Sequence, residues 1–376
     1  MKGISRALFG YIASVQVKIM AKSKASASKE TKIITEKGGT NIYDYVSLKE
    51  LPNFADLNIE VQKLVKQSSL WDLYGVDWML IFISFGLVFV SLFLMKSDNL
   101  QTVVLGIFIL GCCHSTLAIK TAHIAAHGSL TTNKTLQNML SHFVSDICGS
   151  FSADLGYDIH IKVHHPHTNI IGLGDSSTWK MPFLSRYKYM FVGPLFVPVI
   201  TIPLVIKDIW GQWKTMIKYF TLMPLGLAIN FYLLMNISGF TFWGAVLCTL
   251  VYRAVLSIPY IHVNIFQHIG LAMYSQKSRP KRIYQMSTGV LNLPRHPILD
   301  YTFGHSIISC HIEHHLFPRL SDNMCLKIKP LVSKFLIDNG LPYYEDTYMN
   351  RFWMFLEQYE ELMVKAPPIS HFVGIQ

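Results

Sequence analysis

The run TVVLGIFILGCCHSTLAI, Thr102 to Ile119, is apolar almost throughout and leads through Lys120 into His123-Ile-Ala-Ala-His127. Its eighteen residues approach the length a helix needs to cross the hydrocarbon core of a bilayer. Histidines four apart lie on one helical face, so His123 and His127 can grip a single site. Two further clusters carry the same chemistry, His160-x3-His164-His165 and His311-x2-His314-His315, and His268 stands alone. Imidazole is the commonest metal-binding side chain, and its neutral ring nitrogen suits iron, copper and zinc. Nine histidines exceed the four ligands of one zinc ion, yet give each of two ions four or five nitrogens with a position left open. The pattern predicts a membrane-embedded di-metal oxidase with iron as the first candidate.

Composition points the same way. The chain is 51% hydrophobic and only 15% charged, with a mean hydropathy of +0.32, which argues against an ordinary soluble domain. The net charge of +10 lies largely near the ends of apolar runs, where basic residues mark the cytoplasmic side. No compact basic stripe with interleaved aromatics is present, so no nucleic-acid partner is expected. Six cysteines without paired spacing read as reduced, packed thiols. Residues 1–40 read as a basic, disordered tail, with 1–19 either an interfacial extension or a targeting segment. Residues 41–376 read as one membrane domain.

Five apolar runs come into question as spans: Trp78–Met95, Thr102–Ile119, Tyr189–Ile206, Tyr219–Met235 and Phe240–Ile258. Boxes one and two share a side, because no apolar run separates them. An even number of crossings must then lie between His165 and His268, so one of three runs does not cross. Tyr189–Ile206 is the weakest, since Pro194, Pro198 and Pro203 each remove a helix hydrogen bond. It is assigned to an interfacial or re-entrant segment. An all-α integral membrane protein is expected, with four transmembrane helices in two hairpins and a cytosolic helical cap carrying the histidines. Both termini are then cytosolic, as are Lys207, Lys214, Lys277 and Arg282.

Helical spacing lets His311, His314 and His315 share a site, and His160 with His164 likewise. His165 lies one step too far round; Pro166 after it predicts that the helix ends near His164 and frees His165 to turn inward. Around these nine, Asn264 lies four before His268 and can hold a metal-bound water. Glu313 and Asp175 are candidates to orient ligand imidazoles. His262 and His305 read as supporting or packed residues, His114 and His142 as packed, and His167, His296 and His371 as loop or tail. Arg253, inside the last apolar run, must snorkel or face an internal cavity.

His123-Ile-Ala-Ala-His127, His160-Ile-Lys-Val-His164-His165, Asn264-x3-His268 and His311-Ile-Glu-His314-His315-Leu-Phe-Pro318 resemble the histidine boxes of membrane fatty acid desaturases. The likeness runs from about Ser69 to the C-terminus. It implies a non-haem centre of two iron ions, the endoplasmic reticulum membrane, and a lipid acyl substrate. Box three begins with His311 where front-end desaturases typically have glutamine, and box two has three residues between its first histidines in place of two. Both departures bear on regiochemistry. No histidine precedes His114, so a fused haem domain with two axial histidines is not expected here. The resemblance then implies a separate cytochrome b5 and its NADH-dependent reductase as electron donors. Oxygen-dependent desaturation is the expected activity; hydroxylation at the same site, or a catalytically silent lipid-binding protein, are the alternatives.

Overall fold

Two side-chain caps set where the hairpins turn. The computed structural model describes residues 51–171, 173, 183–277 and 279–365. Within them α1 is Phe54–Gln67, α2 is Trp71–Leu94 and α3 is Leu100–Ala126. Asn99 Oδ1 starts α3 by accepting from the amides of Gln101 (2.8 Å) and Thr102 (3.3 Å). After α4 (Lys134–His142), helix α5 (Ala153–Tyr157) runs on through Asp158–His164 to His165–His167. Helix α6 (Val197–Ile209) precedes the second hairpin, α7 (Trp213–Asn236) and α8 (Phe242–Phe266). There Thr241 Oγ1 accepts from the Gly244 amide at 3.2 Å. Among the described residues the only β pairing is two isolated bridges, Ile170 with Tyr274 and Asn292 with Glu345.

Helices α2, α3, α7 and α8 are long and apolar enough to span a bilayer. Their outward faces expose Phe82, Phe89, Phe93, Leu105, Tyr232 and Leu247, an apolar belt that a soluble monomer rarely carries. In lipid that belt is at home. The protein is an all-α integral membrane protein with four transmembrane helices in two hairpins. Between α5 and α7, the pieces Lys188–Leu195 and Val197–Ile209 meet at 77°. The break lies among Pro194, Pro198 and Pro203, where helix hydrogen bonds are lost.

The spans are longer than their apolar runs. Helix α3 continues from Ile119 through the end of a π turn to Ala126, and α8, interrupted at Val255 and Leu256, resumes from Ser257 to Phe266, so His123 and Asn264 lie beyond the apolar runs. A helical cap closes over those ends: α9 (Arg282–Gly289), α10 (Pro297–Thr302), α11 (His311–Leu316), α12 (Asp322–Asp338) and α13 (Tyr348–Glu357). Leu57, Ile283, Met286, Ile312, Ile328 and Val332 form its core, joining α1, α9, α11 and α12 around box three. Arg351 on α13 is buried and donates Nε to the Phe266 carbonyl at 3.0 Å, with Nη2 on the Ile269 carbonyl. That clamp fixes the chain on both sides of His268. The basic tail at 1–40, Asp175 and His371 lie outside the described residues.

Gly226 in the middle of α7 lets that helix touch backbone. A Cβ there would sit 2.1 Å from the Ile147 carbonyl oxygen, whereas one at lipid-facing Gly86 would meet nothing. Overpacking costs about 1–3 kcal/mol, and contact with unyielding backbone lies at the upper end. Gly226→Leu is expected to lower the thermal midpoint of detergent-purified protein by several degrees, and Gly86→Leu to leave it unchanged. Equal midpoints in both variants would contradict this packing.

Candidate metal centre

Local helix geometry decides which histidines meet. Asp158–His164 is not α-helical but π-helical, with hydrogen bonds reaching five residues back. The wider turn brings residues five apart onto one face, and His165 Nε2 lies 3.1 Å from His160 Nε2. The expected helix end at His164 is thereby corrected: His165 keeps helical φ/ψ (−61°, −44°) despite Pro166, and the chain stays helical to His167. It is the π turn that aims His165 inward.

All nine box histidines are buried and form two groups. His123, His127, His160, His165 and His314 make one; His164, His268, His311 and His315 make the other, each with its ligand nitrogens within 4.8 Å of one another. Box one stays together. Boxes two and three are each divided between the groups, unlike the single-site reading of their spacing. Adjacent residues on a helix point about 100° apart, so His164 and His165, or His314 and His315, face different centres.

The second group shows why a cation belongs there. His311 Nδ1 lies 2.8 Å from the Ser306 carbonyl and His268 Nδ1 lies 3.3 Å from the Gly289 carbonyl. A carbonyl only accepts, so both Nδ1 atoms carry the proton and both Nε2 atoms are bare. Thr168 Oγ1 donates to the His164 carbonyl at 2.8 Å and so accepts from His315 Nδ1 at 3.2 Å, which leaves a third bare Nε2. These lone pairs converge, His268 Nε2 to His311 Nε2 at 2.8 Å and His311 Nε2 to His315 Nε2 at 3.2 Å. Such contacts repel unless a positive ion lies between them. In the first group, Nε2 of His127 and His160 are 2.8 Å apart, and His123 Nε2 is buried without a hydrogen-bond partner. The residues fit two cations.

Electrostatics agree. Burial, reinforced by neighbouring rings, holds His127, His160, His165, His268, His314 and His315 well below the ordinary imidazole range. Burial pushes His164 down to about 3 and His311 to about 4. Every one is neutral at pH 7, the form that binds metal.

The supports of these rings had no signal in the spacing. Ser306 Oγ donates to Asp322 Oδ1 at 2.8 Å and lies 3.4 Å from His123 Nδ1. Asp322 pairs with the buried Lys120 at 3.0 Å, beside Asp77 at 3.9 Å. Burial alone would raise the Asp322 carboxyl; the Lys120 ammonium outweighs it and holds the group ionised. Gly304, at φ +96°, makes this possible, since a Cβ would fall 2.6 Å from Asp322 Oδ1. Asn169, at φ +55°, donates Nδ2 to the carbonyls of His268, Ala272 and Gly289, tying the end of box two to His268.

Of the expected supporting residues, Glu313 makes its hydrogen bonds elsewhere. Glu313 is buried but accepts from Asn292 at 3.0 Å and Tyr343 at 2.6 Å, and none of its hydrogen bonds reaches an imidazole. Asn292 also accepts the Ile312 amide at 2.9 Å, so this pair braces α11; burial raises Glu313 to about 7. Asn264 is buried and gives Nδ2 to the Tyr260 carbonyl at 2.8 Å. His262 bonds the Met190 carbonyl at 2.9 Å, and His305 lies 3.2 Å from Asp300. His142 pairs with Asp146, and His296 caps α10.

A cavity of about 120 Å³ leads from His123 and His160 into the membrane layer. Ala118, Ala122 and Ala126, successive i+4 positions of α3, leave room along one wall, and Ile202 of α6 faces them. Its inner lining includes His114 and Arg253. Of the two sequence readings of Arg253, the cavity is the one found.

Residues 99–347 match the family model for fatty acid desaturase. The chain is 49% identical to fatty acid desaturase 6 of Bos taurus over 326 residues, covering 85% of this chain and 94% of that protein. Against the Homo sapiens protein of the same name it is 48% identical over 323 residues, covering 85% and 90%. The Delta(5) fatty acid desaturase fat-4 of Caenorhabditis elegans is 24% identical over 278 residues, with 66% and 61% covered.

Removing a hydrogen-bonding support of a ligand histidine typically weakens metal binding about 10–100-fold. Thr168→Val is therefore expected to release metal from the four-histidine group at lower chelator concentration, and Ser306→Ala to do so at the five-histidine group. Metal retained after dialysis against graded chelator reads both, with His296→Asn as the unaffected control. Retention equal to the unaltered protein in Thr168→Val would contradict the proton assignment at His315.

Proposed function

The chain belongs to the fatty acid desaturase family and is an oxidoreductase acting on lipid acyl chains, and we propose that it desaturates them with two iron ions held by His123, His127, His160, His165 and His314, and by His164, His268, His311 and His315. The observation that carries this reading is the convergence of bare imidazole nitrogens beside an apolar cavity. Bound there, iron would supply the activation of dioxygen that hydrogen removal from an unactivated methylene requires. The cavity wall positions the chain: Ala118, Ala122 and Ala126 admit methylenes beside His123 and His160. The apolar lining excludes water from the reacting carbons. Loss of one hydrogen from each of two adjacent carbons leaves a double bond; with two electrons and two protons supplied, dioxygen leaves as two waters.

The electron source in this reading is a separate cytochrome b5 with its NADH-dependent reductase, drawn to a basic face that includes Lys207 and Arg282. The setting is the endoplasmic reticulum membrane with both termini and the cap on the cytosolic side, in keeping with the positive-inside rule. The bent segment Lys188–Leu195 and Val197–Ile209 enters and leaves on that same side.

Lipid profiling of cells expressing the protein is expected to reveal new double bonds, absent with His315→Ala. Ala122→Leu should block the same products while leaving metal content unchanged, because it fills the cavity and touches no support of the ligands. New hydroxyl groups in place of double bonds would overturn desaturation. Unchanged lipids in cells that supply iron and cytochrome b5 would overturn the enzymatic reading.

A further inference from the structure

Arg253 occupies an unusual place. It sits near the middle of α8, about 8 Å of helix before the apolar run ends at Ile258, and its side chain lines the internal cavity. A guanidinium at membrane depth is costly and calls for a partner. None of the ion pairs among the described residues includes it. Its Nη1 donates to Ser150 Oγ at 3.1 Å, and Ser150 is itself fixed where its carbonyl accepts the Tyr219 hydroxyl at 2.9 Å. That anchor leaves one edge of the guanidinium, Nε and Nη2, unspent; Nε is buried without a partner. This is the edge that grips a carboxylate with two parallel hydrogen bonds.

Arg253 belongs to the lining of the cavity that leads to the metal centre. Arg253 and His114 line the same space as His123 and His160. On α3, His114 and His123 are separated by about 13 Å of helix. A mostly apolar passage therefore has histidine ligands at one end and a held cation at the other.

We propose that Arg253 receives the carboxylate of a long alkyl acid whose methylenes run along the cavity past His123 and His160. The identity of the chain rests on the acyl-oxidation reading above; the charge at its buried end rests on Arg253 alone. A plain hydrocarbon end would leave the guanidinium uncompensated, whereas a carboxylate neutralises it and satisfies both spare donors. Two sources share this chemistry: a free fatty acid bound acid-end inward, or a carrier-linked chain with a second carboxylate at its far end.

Binding to the purified, metal-loaded full chain in detergent tests the proposal, with displacement of a fluorescent fatty acid as the readout. Hexadecanoate is expected to bind at least about tenfold more tightly than its methyl ester or hexadecanol, a difference of about 1.4 kcal/mol. Arg253→Leu should reduce that ratio to near one, and Arg253→Lys should keep most of it. Arg253→Gln, with a polar side chain, gives the same loss if the leucine variant fails to insert. A ratio unchanged in both neutral variants, or hexadecanol binding as tightly as hexadecanoate, overturns the carboxylate site. An Arg253-dependent preference for the hexadecanedioyl over the hexadecanoyl thioester of coenzyme A assigns a carrier-linked diacid; equal thioesters assign the free acid. Loss of the site with double bonds still formed in cells leaves desaturation standing, and the converse leaves a protein that binds fatty acids without oxidising them.

Discussion

Bare imidazole nitrogens facing one another across about 3 Å are the constraint on which the rest of this structure depends. Burying nine histidines is costly, and setting their lone pairs together is more so. The chain accepts both, and fixes the arrangement with carbonyls and hydroxyls that hold the proton on the far nitrogen of His268, His311 and His315. Once tautomers are fixed this way, only a cation relieves the repulsion. The supports of these rings, Thr168, Ser306, the Gly289 carbonyl and the buried Lys120–Asp322 pair, follow from that demand.

The membrane spans make the constraint mechanically feasible. Because α3 and α8 extend beyond their apolar runs, His123 and the turn bearing His268 ride on helical rods anchored by the bilayer. The cap then needs to place only α11 and the end of α5 against them. It does so with a packed apolar core around Ile312 and Leu316, and with Arg351 clamping the backbone beside His268. The same two rods wall the cavity, so the substrate path and the metal centre share one frame.

Much of this was legible in the residues. Membrane-length runs and two short connections dictate hairpins, and the three prolines of 189–206 mark the run that breaks. The box histidines stood out because only a demanding site concentrates so much imidazole. Their division between two centres was not legible: in box two it depends on a π turn at Asp158–His164, whose wider turn leaves no mark in spacing, and in box three on which way an α-helix presents neighbouring rings. Glu313 misled for a related reason, since a carboxylate between two histidines in sequence points away from both on a helix. Thr168, Ser306 and Asn169 act through single hydrogen bonds set by tertiary packing, and residue type alone does not announce that. The role of Ala118, Ala122 and Ala126 emerges only with the cavity beside them, since alanines four apart fit close helix packing equally well.

The most direct test of the central claim is the iron content of protein purified from iron-supplied cells, measured by elemental mass spectrometry together with the His268→Ala and His123→Ala variants. Two irons per chain are predicted in the unaltered protein, with each variant losing metal first from its own group. A chain that keeps its full thermal stability and carries no metal, or holds one ion that neither substitution disturbs, would contradict the account.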